Sequence, residues 1–171
     1  MNLGLPQHAA KVMKLAQAAG LTLATAESCT AGALAVLLAD APDAGKQFHG
    51  GFVVYTKENK RVALGVPAKL IAAQSAVSSD VAKAMASGAL DRCPADISVA
   101  ITGVAGPEPD EDGNPVGLVY VAAAAKRGAV KAIECKFGKL SREEIRDRSM
   151  AAALTLLETV LAEQVDLTGH P

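Results

Sequence analysis

The feature that most constrains this chain is a short apolar run, residues 21–26, that passes without a linker into an Ala- and Leu-rich block, residues 33–39. Small hydroxyl residues occupy the junction between the two. This pattern predicts a β-strand, a tight turn and the start of an α-helix. Because such units build sheets covered by helices, we expect an α/β fold.

The junction itself, residues 27–32, is a candidate binding site. Unpaired N–H groups and the positive end of the helix dipole face outward at a helix start, so this turn suits a phosphate or carboxylate. Ser28 and Thr30 would add hydroxyl donors, and Gly32 would let a ligand approach the backbone closely. The alternative is that Ser28 and Thr30 only cap the helix. A helix N-terminus here could also lower the pKa of the Cys29 thiol.

Hydrophobic periodicity and turn residues extend this pattern along the rest of the chain. The segment 40–45 is predicted to break a helix, and 103–115, rich in Gly and Pro, is predicted to be a long surface loop. A hairpin with Gly128 in its turn is expected near the end, and Ser141 with Glu144 matches a capping box. The predicted helices are 8–19, 33–39, 56–64, 67–74, 80–92 and 142–164, and the predicted strands are 21–26, 52–55, 97–101, 116–124 and 130–137. Together they predict a single three-layer α/β/α domain, residues 1–171 with a core at about 5–163, around a mixed, partly parallel sheet.

Size and charge exclude several functional classes. The chain of 171 residues fits one domain, and its formal net charge of -1, with no basic cluster, argues against a nucleic-acid partner. No leader pattern or apolar stretch of about 18 residues is visible, so we expect a cytoplasmic protein without a membrane partner.

Cysteine and histidine usage predicts neither disulfides nor a metal site. The three cysteines are widely spaced without a CxxC pair, which favours reduced thiols. The three histidines lie far apart and show no metal-ligand spacing. The residues concerned are Cys29, Cys93, Cys135, His8, His49 and His170.

Two further groups of residues are typical of a catalytic site. Tyr55 is expected at the end of a strand, and the following helix would bring Lys60 back toward it. A lysine in a poorly solvated cleft loses its proton more easily and acts as a base; the alternative is an ordinary solvated helix face. Thr102 and Gly103 follow another strand, where a Gly-rich turn forms either an anion nest or only a turn. Arg142 would either bind an anion with its guanidinium fork or belong to a surface charge lattice.

These motifs, taken in order, resemble the CinA C-terminal domain family, whose characterised members include nicotinamide mononucleotide amidases. The resemblance runs from about residue 5 to residue 163. The motifs are Ala26-Glu27-Ser28-Cys29-Thr30-Ala31-Gly32, Gly51-Phe52-Val53-Val54-Tyr55 with Glu58 and Lys60, Leu64-Gly65-Val66, Ala76-Val77-Ser78, Thr102-Gly103-Val104-Ala105-Gly106-Pro107, Pro115-Val116-Gly117 and Arg142-Glu143-Glu144-Ile145-Arg146.

The resemblance implies a three-layer α/β fold, usually dimeric, that hydrolyses nicotinamide mononucleotide to nicotinate mononucleotide and ammonia without a cofactor or metal. It implies catalytic roles for Tyr55, Lys60 and Arg142. It also implies that the turns around Ser28 and Thr102 help to hold the nucleotide.

The chain departs from the family at the position expected for the nucleophile. The family's Gly-Ser-Ser loop aligns with Asp43-Ala44-Gly45, which carries no serine. Two hypotheses follow. In the first, water or a nearby hydroxyl, from Ser28, Thr30 or Thr56, attacks the amide; in the second, the chain is a catalytically silent relative that binds a nucleotide as a sensor or as a competence- or DNA-damage-associated module.

Overall fold

The structure of the protein, a computed structural model, describes residues 4–168. His170, whose spacing argued against a metal site, lies outside them. The helices are α1 Leu5–Ala19, α2 Ala33–Ala39, α3 Ala44–Gln47, α4 Lys57–Leu64, α5 Ala68–Gln74, α6 Ser79–Leu90 and α7 Arg142–Thr168. The strands are β1 Leu23–Glu27, β2 Phe48–Val53, β3 Ile97–Gly103, β4 Leu118–Ala125 and β5 Lys131–Lys136.

The five strands form one mixed sheet in the order β2-β1-β3-β4-β5. β1 pairs in parallel with β2 on one side and with β3 on the other, whereas β3, β4 and β5 are antiparallel. The chain therefore leaves β1 toward one edge and returns to its other side. Open α/β sheets bind ligands at such a point, beyond the carboxyl ends of the strands.

Helices cover both faces of the sheet, which confirms the predicted α/β class. α1, α2 and α7 bury one apolar cluster, in which Val12, Leu34 and Leu154 are fully buried. α4, α5 and α6 bury the other, around Leu64 and Met85. Small alanine side chains of β3 and β4 lie beneath α6, so this helix packs closely against the sheet. Among residues 4–168, no helix has the length and apolar character needed to cross a membrane.

The predicted bounds of β1 and β2 were wrong by one to four residues. β2 begins at Phe48 and ends at Val53, so Gly50 and Gly51 lie inside the strand. A Cβ atom at Gly51 would lie 2.2 Å from Thr25 Oγ1 on β1, so a side chain does not fit there. Gly51 therefore reflects close packing between two strands, whereas nothing lies within 4 Å of a Cβ at Gly50, whose φ of 134° is one that residues with side chains rarely adopt.

The ends of several other elements follow the sequence analysis. The loop 103–115 and the hairpin between β4 and β5 are present, and Ser141 exchanges hydrogen bonds with Glu144 in a capping box. The segment 40–45 contains a short helix, α3, that was not predicted. The capping box fixes the start of α7, and with it the position of Arg142.

We expect Gly88→Ala to destabilise the fold by about 1–3 kcal/mol, the usual effect of overpacking. A Cβ atom at Gly88 of α6 would lie 2.0 Å from the carbonyl oxygen of Leu64 on α4. Urea denaturation measures the change. Gly45→Ala in α3 is the matched control, since nothing lies within 4 Å of a Cβ there; equal stability of both variants would contradict the close contact.

Candidate active site

A cavity of about 560 Å³ lies at the carboxyl ends of β1, β2 and β3. A residue at or within two positions of the end of each strand contributes to the wall: Ser28 directly after β1, Tyr55 two residues after β2 and Gly103 at the end of β3. The lining residues are Ser28, Cys29, Tyr55, Thr56, Lys57, Glu58, Lys60, Ala76, Val77, Thr102, Gly103, Val104, Ala105, Gly106, Glu108, Asp110, Glu111 and Arg142. Parallel strands thus bring together residues that lie far apart in sequence.

The Ser28 hydroxyl and the Lys60 amine form a buried pair at the base of this cavity. Lys60 Nζ lies 2.8 Å from Ser28 Oγ, and its side chain crosses from α4 to the end of β1. Only 2% of Lys60 and 6% of Ser28 are exposed. The backbone carbonyls of Val54 and Tyr55 accept hydrogen bonds from the same Nζ, at 3.1 and 3.4 Å.

This environment makes Lys60 easier to deprotonate than a lysine in water. Burial, the main cause, lowers its pKa from 10.5 to about 8, and the positive charge of Lys57 acts in the same direction, while Cys29 opposes it. A neutral amine has two N–H groups and one lone pair. In the structure Nζ donates to Ser28 Oγ as well as to the two carbonyls, as a charged ammonium does. After loss of one proton, the two carbonyls can keep the remaining N–H groups, and the lone pair is then free to accept the Ser28 hydroxyl proton. The unfolded chain retains the Lys60 proton between about pH 8 and 10.5, so this residue's contribution to stability rises with pH over that interval.

Tyr55 connects the lysine to Arg142. Its backbone carbonyl accepts from Lys60, and its phenolic oxygen accepts from Arg142 Nη2 at 2.9 Å. Arg142 Nη1 also donates to the carbonyl oxygen of Gly106, at 2.7 Å. Tyr55 and Arg142 are exposed at the cavity mouth, in contrast to the buried lysine. All three side chains of the expected catalytic group therefore line one cavity.

Thr30 and Gly32, which the sequence analysis assigned to substrate binding, point elsewhere. The Thr30 hydroxyl donates to the Glu27 carboxylate at 2.7 Å, and the Gly32 amide donates to it at 3.0 Å. The amides of Leu34 and Ala35 donate to the same carboxylate, at 3.0 and 2.8 Å. The protein's own carboxylate therefore occupies the start of α2, where an anionic ligand was expected.

Glu27 is a residue that supports the site and that the sequence analysis missed. It ends a strand in which every residue is buried, and it is itself only 1% exposed. A carboxylate inside an apolar run needs several donors, and a helix start supplies them. An acidic residue directly before a strand-to-helix turn was the available signal. Its contacts fix the turn that carries Ser28.

The thiol of Cys29 is not activated by the turn. Burial raises its pKa from 9.0 to about 11, so it is a protonated thiol at neutral pH. The sequence had suggested a lowered pKa from the helix N-terminus, but Glu27 already interacts with that end of α2. Cys29 is therefore a poor nucleophile at neutral pH.

Thr102 and Gly103 belong to the cavity wall in different ways. The Thr102 hydroxyl donates to the carbonyl oxygen of Ala76 at 2.7 Å, so this hydroxyl fixes the wall. Gly103 presents backbone only, because a Cβ there would lie 2.8 Å from the carbonyl oxygen of Leu118. Gly45, which aligns with the family's loop serine, lies in α3 and is not part of the lining.

No cluster of three or more His, Cys, Asp or Glu side chains among residues 4–168 could hold a metal ion. The polar groups of the cavity include the Ser28 hydroxyl, the Lys60 amine, the Tyr55 phenol and the Arg142 guanidinium. Its wall also carries Thr56, Lys57 and four acidic side chains, Glu58, Glu108, Asp110 and Glu111. The Ser28, Lys60, Tyr55 and Arg142 side chains are suited to proton transfer and to hydrogen bonding with polar groups of a ligand.

The fold and the site define a class: a three-layer α/β domain with a buried serine–lysine pair at the switch point of its sheet. Comparison with known proteins gives the family. The CinA C-terminal domain profile matches residues 6–161, and the chain belongs to the CinA C-terminal domain family.

Curated relatives agree with this assignment. A CinA-like protein of Mycolicibacterium gilvum is 45% identical over 84% of this chain and 34% of its own length. A putative competence-damage inducible protein of Symbiobacterium thermophilum is 40% identical over 95% of this chain and 39% of its own length. The chain thus spans somewhat more than a third of the length of these relatives.

Solved structures match over almost the whole chain. The competence/damage inducible protein CihA of Agrobacterium tumefaciens is 38% identical, with a TM-score of 0.84 and coverage of 92% of this chain and 94% of that chain. A CinA superfamily protein of Klebsiella pneumoniae is 35% identical, with a TM-score of 0.88 and coverage of 93% and 98%.

Proposed function

We propose that the protein is an amide hydrolase in which Ser28 is the nucleophile and Lys60 is the general base. The buried 2.8 Å contact between Ser28 Oγ and Lys60 Nζ carries this proposal. A serine hydroxyl is a weak nucleophile until an adjacent base takes its proton. A desolvated lysine with a pKa of about 8 is such a base near neutral pH.

The reaction follows from these two groups in two steps. Neutral Lys60 takes the hydroxyl proton as Ser28 Oγ attacks the amide carbonyl carbon, and the resulting ammonium gives that proton to the departing nitrogen, which leaves as ammonia. The product is an ester between the acyl group and Ser28. Lys60 then takes a proton from water, which attacks the ester, and returns it to Ser28 Oγ as the carboxylic acid leaves.

Tyr55 and Arg142 supply stabilisation of charge. The Tyr55 oxygen accepts its hydrogen bond from Arg142, so its own proton is available for a substrate oxygen. The Arg142 guanidinium nearby favours the negative charge that develops on the substrate oxygen. Both residues lie at the cavity mouth, where a substrate would first meet the site.

The proposed substrate is the carboxamide of a nicotinamide nucleotide, preferentially the mononucleotide. The family resemblance and the convergence of Tyr55, Lys60 and Arg142 on one cavity support this choice. The cavity volume of about 560 Å³ is within the range of pockets that bind small molecules. Some relatives are named for competence or damage induction, and a binding role in such a process is the competing outcome of the test below.

Ammonia release from nicotinamide mononucleotide tests the function directly. We expect wild-type activity to rise about tenfold per pH unit below pH 8 and to level off above it, because only neutral Lys60 accepts the proton. Lys60→Met should abolish this pH-dependent activity. The control is Lys83→Met, since Lys83 lies on α6 outside the cavity lining and makes an ion pair only with Asp80 among the described residues.

Two results would contradict the proposal. Equal ammonia release by the wild type and by Lys60→Met would show that the lysine is not the base. Nucleotide binding by calorimetry without any turnover would favour a silent sensor instead. The homodimer and the absence of a cofactor, both implied by the resemblance, stay predictions; light scattering measures the first, and activity of metal-stripped protein tests the second.

A further inference from the structure

A charged bridge separates the active-site cavity from a second cavity of about 550 Å³. Lys57 and Glu58, at the start of α4, line both cavities. Lys57 Nζ lies 2.7 Å from Glu111 Oε1 and 2.8 Å from Asp112 Oδ1. Glu111 lines the active-site cavity and Asp112 lines the second one. The three side chains therefore form a wall between the two spaces.

The loop that carries the two carboxylates is held at its outer part by a small network. Asp110 Oδ1 accepts from the amides of Asp112 and Asn114, at 3.1 and 2.8 Å. The Asn114 amide group donates to Ser75 Oγ at 2.7 Å and to Asp110 Oδ2 at the same distance. The tip of the loop is thereby connected to the end of α5.

The base of the same loop is closed and fixed to α7. The Gly117 amide donates to the carbonyl oxygen of Val104 at 2.8 Å, and Arg142 holds the carbonyl oxygen of Gly106. The ion pairs with Lys57 connect the same loop to α4. Because Lys57 and Asp112 are 35% and 30% exposed and Glu111 is 72% exposed, solvent and salt weaken these ion pairs. The ion pairs of the bridge are therefore easier to break than buried contacts.

The second cavity combines apolar, polar and charged lining groups. Ala68, Ile71 and Ala72 supply apolar contacts, and Gln74 and Ser75 supply polar groups. Nucleobases have this combination of an apolar face and polar edges. A dinucleotide amide whose nicotinamide occupied the active-site cavity would have to cross the bridge to place its second base here.

We propose that the bridge between Lys57, Glu111 and Asp112 is a specificity-determining partition, which restricts the active site to mononucleotide amides and, when broken, admits dinucleotide amides. The substrate class rests on the proposed function, whereas the partition rests on the geometry of the bridge. The hydrogen bonds that Lys57 donates to Asp112 and Glu111 raise the pKa of Lys57, and the one to Asp112 lowers the pKa of that carboxylate, so the pair is charged at neutral pH.

The test compares two substrates with the same reacting carboxamide, nicotinamide mononucleotide and nicotinamide adenine dinucleotide. Lys57→Ala should raise the ratio of kcat/KM for the dinucleotide to that for the mononucleotide by about fivefold or more. Lys57→Arg, which keeps the charge, should retain the wild-type ratio, and Lys83→Ala controls for loss of an exposed lysine. A ratio cancels any effect of Lys57 on the pKa of Lys60, because both substrates meet the same base.

Amide hydrogen exchange of residues 104–117 tests the bridge without substrate. Faster exchange in Lys57→Ala, but not in Lys57→Arg or Lys83→Ala, is expected. Unchanged exchange, or an unchanged substrate ratio, would overturn the partition. If the wild type hydrolyses neither nucleotide, the amidase proposal fails on its own, and the same ratio is measured from calorimetric affinities for the two nucleotides.

Discussion

Ser28→Ala should lower kcat for ammonia release from nicotinamide mononucleotide by about 10³-fold or more, the scale of effect seen when a hydrolase loses its nucleophile. The substitution removes the only hydroxyl that Lys60 contacts among the described residues. Lys60 keeps its two backbone carbonyl partners, so the side chain should stay in place. Steady-state ammonia release and the thermal midpoint, measured on the same preparation, separate lost chemistry from lost folding.

Covalent labelling gives this prediction a second readout. A fluorophosphonate should modify the wild type on the peptide that carries Ser28 and should leave Ser28→Ala unmodified. Ser87→Ala, on α6 and away from the cavity lining, is the control and should behave as the wild type. Wild-type turnover in Ser28→Ala would mean that water or another hydroxyl attacks, as the first hypothesis from the sequence allows.

Glu27→Ala is expected to cost the largest amount of stability, about 3–5 kcal/mol, because it leaves one hydroxyl and three amides without their common acceptor inside the protein. Glu27→Gln should cost less, about 1–3 kcal/mol, since its amide oxygen still accepts two of these bonds. Guanidinium denaturation of the two variants and the wild type measures the series.

The order of effects is the important outcome for Glu27. Glu58→Gln provides the comparison at an exposed carboxylate, whose partner is Arg61 in the next turn of α4, and little change is expected. If Glu27→Ala and Glu58→Gln denatured at the same concentration, the buried network would contribute nothing to folding. Because the same turn holds Ser28, we also expect Glu27→Gln to lower kcat more than it raises KM.

The layered fold could be predicted because local signals agreed with one another. Apolar runs, Gly and Pro breaks, the capping box at Ser141 and the turn at Gly128 all identify element type without reference to distant residues. The bounds of β2 could not be predicted, because Gly51 is required by its close contact with Thr25 on the neighbouring strand. That contact is not visible in the local sequence. The short helix α3 has too few residues for a period to be visible.

The sequence identified most of the residues that line the site, but it did not show which of them contact one another. Tyr55, Lys60 and Arg142 could be selected from sequence, yet the contact of Lys60 with Ser28 joins residues 32 positions apart. The sequence assigned Ser28, Thr30 and Gly32 one common role. In the structure their roles differ. Thr30 and Gly32 donate hydrogen bonds to the Glu27 carboxylate, whereas Ser28 contacts Lys60. These roles depend on which group accepts hydrogen bonds from the amides at the start of α2. The spacing of residues in the sequence does not contain that information.

The hairpin turn at Lys126 to Gly128 lies at the rim of the sheet where β3 begins, whereas the proposed catalytic groups lie at the rim where β3 ends. The two rims are separated by the length of the strands. A fluorophore or affinity tag attached at this turn would therefore report on the molecule without touching substrate. Substitutions in this hairpin turn are likewise expected to leave catalysis unchanged.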